Sequence, residues 1–399
     1  MYVCRVVGLE IFKFYKNLAK KIMRDIHKKE FDDGTIIKLE ILRRYVREWL
    51  PVFLRKNPPG WQRVFLYDFF AGEGMDLHGN PGSPLIILEE LKPYCGDIKQ
   101  KGIQVEIFFN ELCQKKINKL KHACSDYLKT CSKKSHTVSS CPGVGEAGCP
   151  FKISYCQEEF QSCFRSFLPR MRSTTHYPRF MFLDQYGVKE VTRGIFNALI
   201  SLKRTDFIFF ISSSFVRRFI ELPEFNKYLT LKKHDFDVNR PHHCHQVIFE
   251  YYRSLIPGGS EYYLAPFSIK KDKNIYGLIF GSNNPLGIEK FLNICWKINP
   301  TTGNANYDID NENIRKGQPK LFPEFDKPTK LVVFDKDLRE KIAKRQLATN
   351  REIYAFAFER GCLPRHANSI IQDLKKSGEI DQGFKTKSQN IHKLEISFL

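Results

Sequence analysis

The stretch that most constrains this chain runs from Val64 to Leu91. Val64-Phe65-Leu66-Tyr67 is a continuous apolar run, the pattern of a strand buried on both faces of a parallel sheet. It ends at Asp68 and passes into Phe69-Phe70-Ala71-Gly72-Glu73-Gly74. Glycines two apart allow positive φ and close approach of a ligand to the backbone. A second break, Gly79-Asn80-Pro81-Gly82, leads to Ser83-Pro84. Ser83 suits an N-cap and Pro84 the first helical position, so a helix is expected over 84–91. Strand, acid, glycine loop and helix form the nucleotide-cradling corner of a doubly wound sheet. Asp68, Phe70, Gly72, Gly74 and Ser83 are therefore the candidate cofactor contacts.

The rest of the chain supplies a sheet around that corner. Val105 to Phe109 reads as a second strand, and Glu111 follows it where an acidic residue can accept bonds from ribose hydroxyls. Lys152 to Tyr155 is a third strand. Glu159, just beyond it, either faces an adenine edge or starts a helix. Arg179 to Leu183 is a fourth strand and ends at Asp184-Gln185-Tyr186-Gly187. Two parallel strands that each present an aspartate at the carboxyl end place both in one crevice. Phe207 to Ile211 is a fifth strand, followed by Arg217 and Arg218, which suit phosphate contacts or a solvated face. Segments 261–269 and 274–281 flank Lys-Lys-Asp-Lys and read as a β-hairpin. An α/β, mostly parallel sheet that closes on one antiparallel hairpin is the Rossmann-like class I methyltransferase pattern.

Outside the sheet, residues 38–50 place Leu39, Leu42, Val46, Trp49 and Leu50 on one helical face, and Pro51 is expected to end that helix. Residues 130–150 are rich in Ser, Gly and Cys and read as an insertion. Their cysteines match no tight metal-binding spacing, and His242-His243-Cys244-His245 cannot all face one ion. No metal is expected. The division expected is a helical extension over 1–35, the Rossmann-like domain over 36–318, a proline-bearing linker over 319–335 and a winged helix-turn-helix over 336–399. Arg365, Asn368, Lys375 and Lys376 lie on its candidate recognition helix.

Charge sets the partner expected. Lys and Arg number 64 against 44 Asp and Glu, a net charge of +20, which favours a polyanion such as DNA or RNA. No apolar run approaches the ~20 residues of a membrane span, and the first residues lack a signal-peptide core. A cytoplasmic location with reduced thiols is expected.

Lys38 and Tyr45 in the first helix, the Tyr67–Gly74 corner, Gly82-Ser83-Pro84-Leu85, Phe182 to Gly187, Asn274 to Gly281 and the Lys290–Asp310 segment occur in an order that resembles the three-Cys-motif partner (TcmP) family. The resemblance runs from about Lys38 to the C-terminus. It implies a class I fold that binds S-adenosyl-L-methionine, and a partnership with a three-Cys-motif protein similar to radical enzymes of that cofactor. It implies that Asp68, Gly72 and Gly74 hold the donor's amino-acid end and Glu111 its ribose. Asp184, Gln185 and Tyr186 then orient a methyl acceptor, with the Gln185 carbonyl aimed at an amine. The family's second acidic motif usually reads Asp-Pro-Tyr/Phe-Gly, and Gln185 stands at the proline. No Pro-Cys dipeptide occurs, which disfavours cytosine-C5 chemistry and leaves nitrogen or oxygen as the acceptor. Two alternatives stand beside a nucleic-acid methyltransferase: a catalytically degenerate nucleic-acid adaptor that recruits a partner enzyme, and a small-molecule O- or N-methyltransferase.

Overall fold

Seven strands form one sheet in the order β3-β2-β1-β4-β5-β7-β6. They are β1 (Arg63–Asp68), β2 (Gln104–Asn110), β3 (Phe151–Cys156), β4 (Arg179–Leu183), β5 (Thr205–Ile211), β6 (Tyr263–Lys271) and β7 (Asn274–Ser282). The first five are parallel, and the β6–β7 hairpin joins β5 antiparallel through β7. Asp272, at φ 52°, makes the hairpin turn. This is the Rossmann-like class I methyltransferase sheet. Chain order reverses at β1, between β2 and β4, so the carboxyl ends of β1 and β4 border the crevice in which such sheets hold ligands. The structure is a computed structural model that describes residues 30–56, 60–131, 149–185, 187–223, 225–314 and 328–386. Most of the expected N-terminal extension and insertion, Tyr186, part of the linker and residues 387–399 of the expected wing lie outside the described residues.

Strand alternation divides the core in two. Val64 and Leu66 face one side with helices α1 (Asp33–Leu54), α2 (Ser83–Leu91) and α4 (Gln114–Cys131), where α3 is the short Cys95–Lys101. Phe65 and Tyr67 face the other side with α5 (Phe160–Ser173), α6 (Arg193–Ser201) and α8 (Cys244–Ser254), α7 being Ser213–Phe219. Helix α9 (Pro285–Ile298) packs on the first side.

Three boundaries differ from expectation. Helix α1 runs through Pro51 to Leu54, because a proline removes only one donor and Arg55 still donates to the Pro51 carbonyl at 3.2 Å. Ser83 is the first residue of α2, and Gly82 is its cap. The first C-terminal helix, α10 (Thr329–Ala343), starts inside the span expected as linker; α11 (Asn350–Glu359) and α12 (Pro364–Lys376) follow.

These helices dock on the sheet through the polar segment 299–310. Lys330 Nζ, half-buried, donates to Thr302 O at 2.7 Å, Asn304 Oδ1 at 2.6 Å and Gly361 O at 2.9 Å. Trp296 Nε1 donates to Gly361 O at 3.0 Å, and Ser268 N to Asn304 O at 2.7 Å. The segment is thus a bracket between β6, α9 and the C-terminal helices. Among the described residues no helix is long and apolar enough to cross a membrane.

Candidate active site

The corner after β1 is built by its glycines. Gly72 and Gly74 have φ of 65° and 93°, where L side chains are strained. A Cβ on Gly74 would stand 3.1 Å from Ala123 Cβ and 3.2 Å from Leu120 Cδ1. The loop from Met75 to Gly82 folds back on this turn: Gly82 N donates to Gly74 O at 2.8 Å. Asp76 holds the loop from inside. Its carboxylate accepts from the backbone N–H of Phe31 at 3.0 Å, of His78 at 2.9 Å and of Asn80 at 2.9 Å, and from Asn80 Nδ2 at 2.8 Å. Those donors hold its pKa down at about 2. Asp76 was not singled out in the sequence, although an acid inside a turn-rich loop is a standard Asx-turn signal.

Asp68 is fully buried at the end of β1. Its Oδ1 accepts from Phe70 N at 3.1 Å, and Oδ2 has no hydrogen-bond partner among the described residues. Burial pushes its pKa up to about 7. The Ser83 hydroxyl, the Phe70 amide and the Lys38 ammonium offset part of this, and the Asp184 charge adds to it. Ser83 thus stands beside Asp68 without closing a bond on Oδ2. A buried carboxylate oxygen left open at a ligand crevice is costly unless something binds there.

Asp184 follows β4, the strand paired with β1, and it is the charge that acts on Asp68. The two aspartates therefore stand near each other at the carboxyl ends of neighbouring strands. Lys38 of α1 was missed as a site residue. Its ammonium is buried, pairs with Asp184 Oδ2 and lies 4.7 Å over the Phe210 ring. The signal was present: Lys38, Leu42, Tyr45 and Trp49 follow helical spacing, so a lysine sits on the apolar face where a charge needs a partner. On the same face, the buried Asp206 accepts from Tyr45 Oη at 2.7 Å, Trp49 Nε1 at 2.9 Å and Ser282 Oγ at 2.5 Å. This locks α1 against the sheet and so fixes Lys38.

Gln185 corrects an expectation. Its Oε1 is not aimed at an acceptor, because it accepts from the backbone N–H groups of Glu190 and Val191, both at 3.1 Å. The buried Nε2 has no partner among the described residues. Gln185 therefore braces the loop after β4, and an amide rather than a proline ring fixes the turn. Tyr186 lies outside the described residues.

On the donor side, Ala71 N donates to Asn110 O at 2.9 Å, bringing the ends of β1 and β2 together. Asn110, buried and not singled out before, ties three loops. Its Nδ2 donates to Phe69 O at 3.2 Å and Glu158 O at 3.0 Å, and its Oδ1 accepts from Glu158 N at 3.2 Å. Glu111 sits beside it, with Oε1 accepting from Cys113 N at 2.8 Å. Phe70 packs against Phe160, ring centres 4.9 Å apart. Glu159 caps α5, accepting from Ser162 N at 3.2 Å, so the helix-start reading describes it.

The basic residues divide. Arg365 and Lys376 are exposed on α12. Lys375 does not join them: it is buried and donates to Gln382 O at 2.8 Å and Phe384 O at 2.5 Å, so its charge closes the chain after α12 instead of meeting phosphate. Asn368 is half-buried and accepts from Tyr354 Oη at 2.8 Å. Arg218 is exposed, donates to Ser214 O at 3.1 Å and bonds Asn274 Oδ1; Arg217 is half-buried. His245 is a core residue: its Nδ1 accepts from Ser213 Oγ at 2.9 Å and its Nε2 donates to Leu278 O at 3.0 Å. Burial pushes its pKa down to about 4, which keeps it neutral, and the absence of a side chain on Gly277 makes room for the ring.

No family model matches the chain, and no curated protein matches it. Solved structures do. A protein of the DUF519 family from Legionella pneumophila is 11% identical with a TM-score of 0.33, covering 62% of this chain and 85% of its own. Trm1 from Pyrococcus horikoshii, solved with S-adenosyl-L-methionine, is 12% identical with a TM-score of 0.36, covering 65% of this chain and 59% of its own. An O-methyltransferase from Bacillus cereus, solved with SAH, is 10% identical with a TM-score of 0.30, covering 66% of this chain and 96% of its own. Likeness at this level carries no argument for function.

Proposed function

We propose that this protein is an S-adenosylmethionine-dependent methyltransferase that acts on nucleic acid. The observation that carries the reading is the β1 switch point, where Asp68 Oδ2 lies buried with no hydrogen-bond partner among the described residues, beside a positive-φ glycine turn. The residues present fit the donor. Gly72 and Gly74 hold the turn at positive φ, which lets the backbone close round a ligand, Asp68 Oδ2 suits the ammonium of its amino-acid end, and Glu111 stands where a ribose is held. Bound there, the donor supplies an electrophilic methyl group. Lys38 fixes Asp184 through Oδ2 and leaves Oδ1 to accept a proton from an acceptor nitrogen or oxygen. The +20 charge and the exposed Arg365 and Lys376 support a polyanionic acceptor. A winged helix formed by the C-terminal helices, with division of the chain near residues 319–335, belongs to the same reading. So does a three-Cys-motif partner, which rests on the sequence resemblance.

The experiment is transfer of tritiated methyl from the donor to mixed DNA, RNA and protein substrates. Label is expected in nucleic acid with the wild-type chain and not with Asp184→Ala. A second reading, an adaptor without catalysis, is favoured by Gln185, whose carbonyl is spent on its own loop. It predicts salt-dependent nucleic-acid binding with no label transfer, whereas label in a small molecule alone would favour small-molecule methylation.

A further inference from the structure

Beyond the donor crevice, at the end of β3, the outermost of the seven strands on that side, two thiols and a carboxylate converge. Cys156 is the last residue of β3, and Cys163 lies in the first turn of α5. Between them stands Glu158. The two sulfurs and a Glu158 carboxylate oxygen all lie within 4.8 Å of one another. Two thiolates on one tetrahedral zinc ion, each about 2.3 Å from it, stand about 3.8 Å apart, so the cluster closes on an ion with a contraction of at most about 1 Å. Cys163 is fully buried, Cys156 half-buried and Glu158 exposed, which gives a dry floor and an entry path from solvent.

The surroundings hold this arrangement. Asn110 bonds Glu158 on both sides of its peptide, through N at 3.2 Å and O at 3.0 Å. Cys156 O accepts from Glu111 N at 3.2 Å, and Cys163 N donates to Glu159 O at 2.9 Å. Both ends of the turn are therefore pinned before anything binds. The Gln157 backbone N–H faces the Cys156 sulfur and favours its thiolate, the outer-shell support that metal-bound thiolates need. Burial pushes both thiols above their ordinary value.

We propose that Cys156, Cys163 and Glu158 form a three-ligand site for a thiophilic divalent cation of the zinc class, with the fourth position open to water or a further ligand. Binding forms two metal–sulfur bonds and one metal–oxygen bond, and the two thiol protons leave to solvent. The thiolates select zinc or cadmium over magnesium or calcium, which take oxygen donors. Because Asn110 and Glu111 join this turn to the loops after β1 and β2, the cation would stiffen the donor side of the crevice, yet its binding does not depend on the donor.

The test is titration of the reduced full-length chain with cadmium, read by the sulfur-to-metal charge-transfer absorption in the ultraviolet, with cobalt as a second probe of tetrahedral geometry. One equivalent is expected to give the band. Cys156→Ser, at a half-exposed position, is expected to halve the band and weaken affinity at least about tenfold, since even outer-shell losses at metal sites cost roughly 10–100-fold. Glu158→Gln keeps the band but weakens affinity, and affinity falls as pH is lowered because protons are displaced. Cys156→Ser with Cys163→Ser keeps the ten other cysteines and should abolish the band; a circular dichroism melt shows whether that variant folds. A band of undiminished strength in Cys156→Ser, no band at one equivalent, or magnesium competing equally would overturn the proposal. A Cys156–Cys163 disulfide that forms in the presence of excess zinc would also overturn it.

Discussion

Replacing Asp68 with asparagine should make the protein more stable at neutral pH, and the magnitude follows from burial. Asp68 has no bond on Oδ2 among the described residues, and its pKa stands at about 7 against 3.8 for an ordinary aspartate. The folded state therefore binds a proton that the unfolded chain has already released. Stability is full below pH 3.8, falls as pH rises, and levels off above about 7. A rise from 3.8 to about 7 corresponds to about 4 kcal/mol, of which about 3 kcal/mol falls between pH 5 and pH 8. Asparagine keeps the acceptor for Phe70 N and has no charge to desolvate. Urea unfolding at pH 5 and pH 8 should show the gap between Asp68→Asn and wild type widening by about 3 kcal/mol at the higher pH. Saturating S-adenosylmethionine should narrow it, since a bound ammonium stabilises the ionised Asp68. A gap that is the same at both pH values would refute the reasoning, because Asp68 would then be solvated or paired in the folded state.

Gly74→Ala places a side chain at φ 93° and 3.1 Å from Ala123 Cβ, so a loss of about 2 kcal/mol or more is expected in urea unfolding. Asp206→Ala leaves the Tyr45 and Trp49 donors buried without their acceptor and should cost about 3–5 kcal/mol by the same measurement. Arg365→Ala and Lys376→Ala should each lower the salt slope of nucleic-acid binding by about 1, while Lys375→Ala leaves that slope unchanged and lowers the melting temperature.

The sheet was legible because its signals are local. Val64–Asp68 and Arg179–Asp184 are apolar runs that stop at an acid, and the strands flanking Lys270–Lys273 announce a hairpin. The pair of aspartates followed from topology alone. What could not be read is set by contacts between distant segments. Lys38 meets Asp184 across 146 residues, and Lys375 reads as one more basic residue on a helix until its two carbonyl acceptors are seen. Gln185 read as an acceptor-facing amide because nothing in the sequence places its carbonyl on Glu190 N and Val191 N. Cys156 and Cys163 fall seven apart, a spacing that matches no tight metal-binding pair. The turn from β3 into α5 brings them together.

The central claim is that the β1 corner holds the methyl donor. The direct measurement is calorimetric titration of S-adenosylmethionine into the full-length chain at pH 8, beside Gly74→Arg verified as folded. The account predicts one saturable site in the wild type that is lost in the variant, because a side chain at φ 93° that meets Ala123 and Leu120 deforms the turn that would hold the donor. No heat of binding, or binding unchanged by Gly74→Arg, would contradict it.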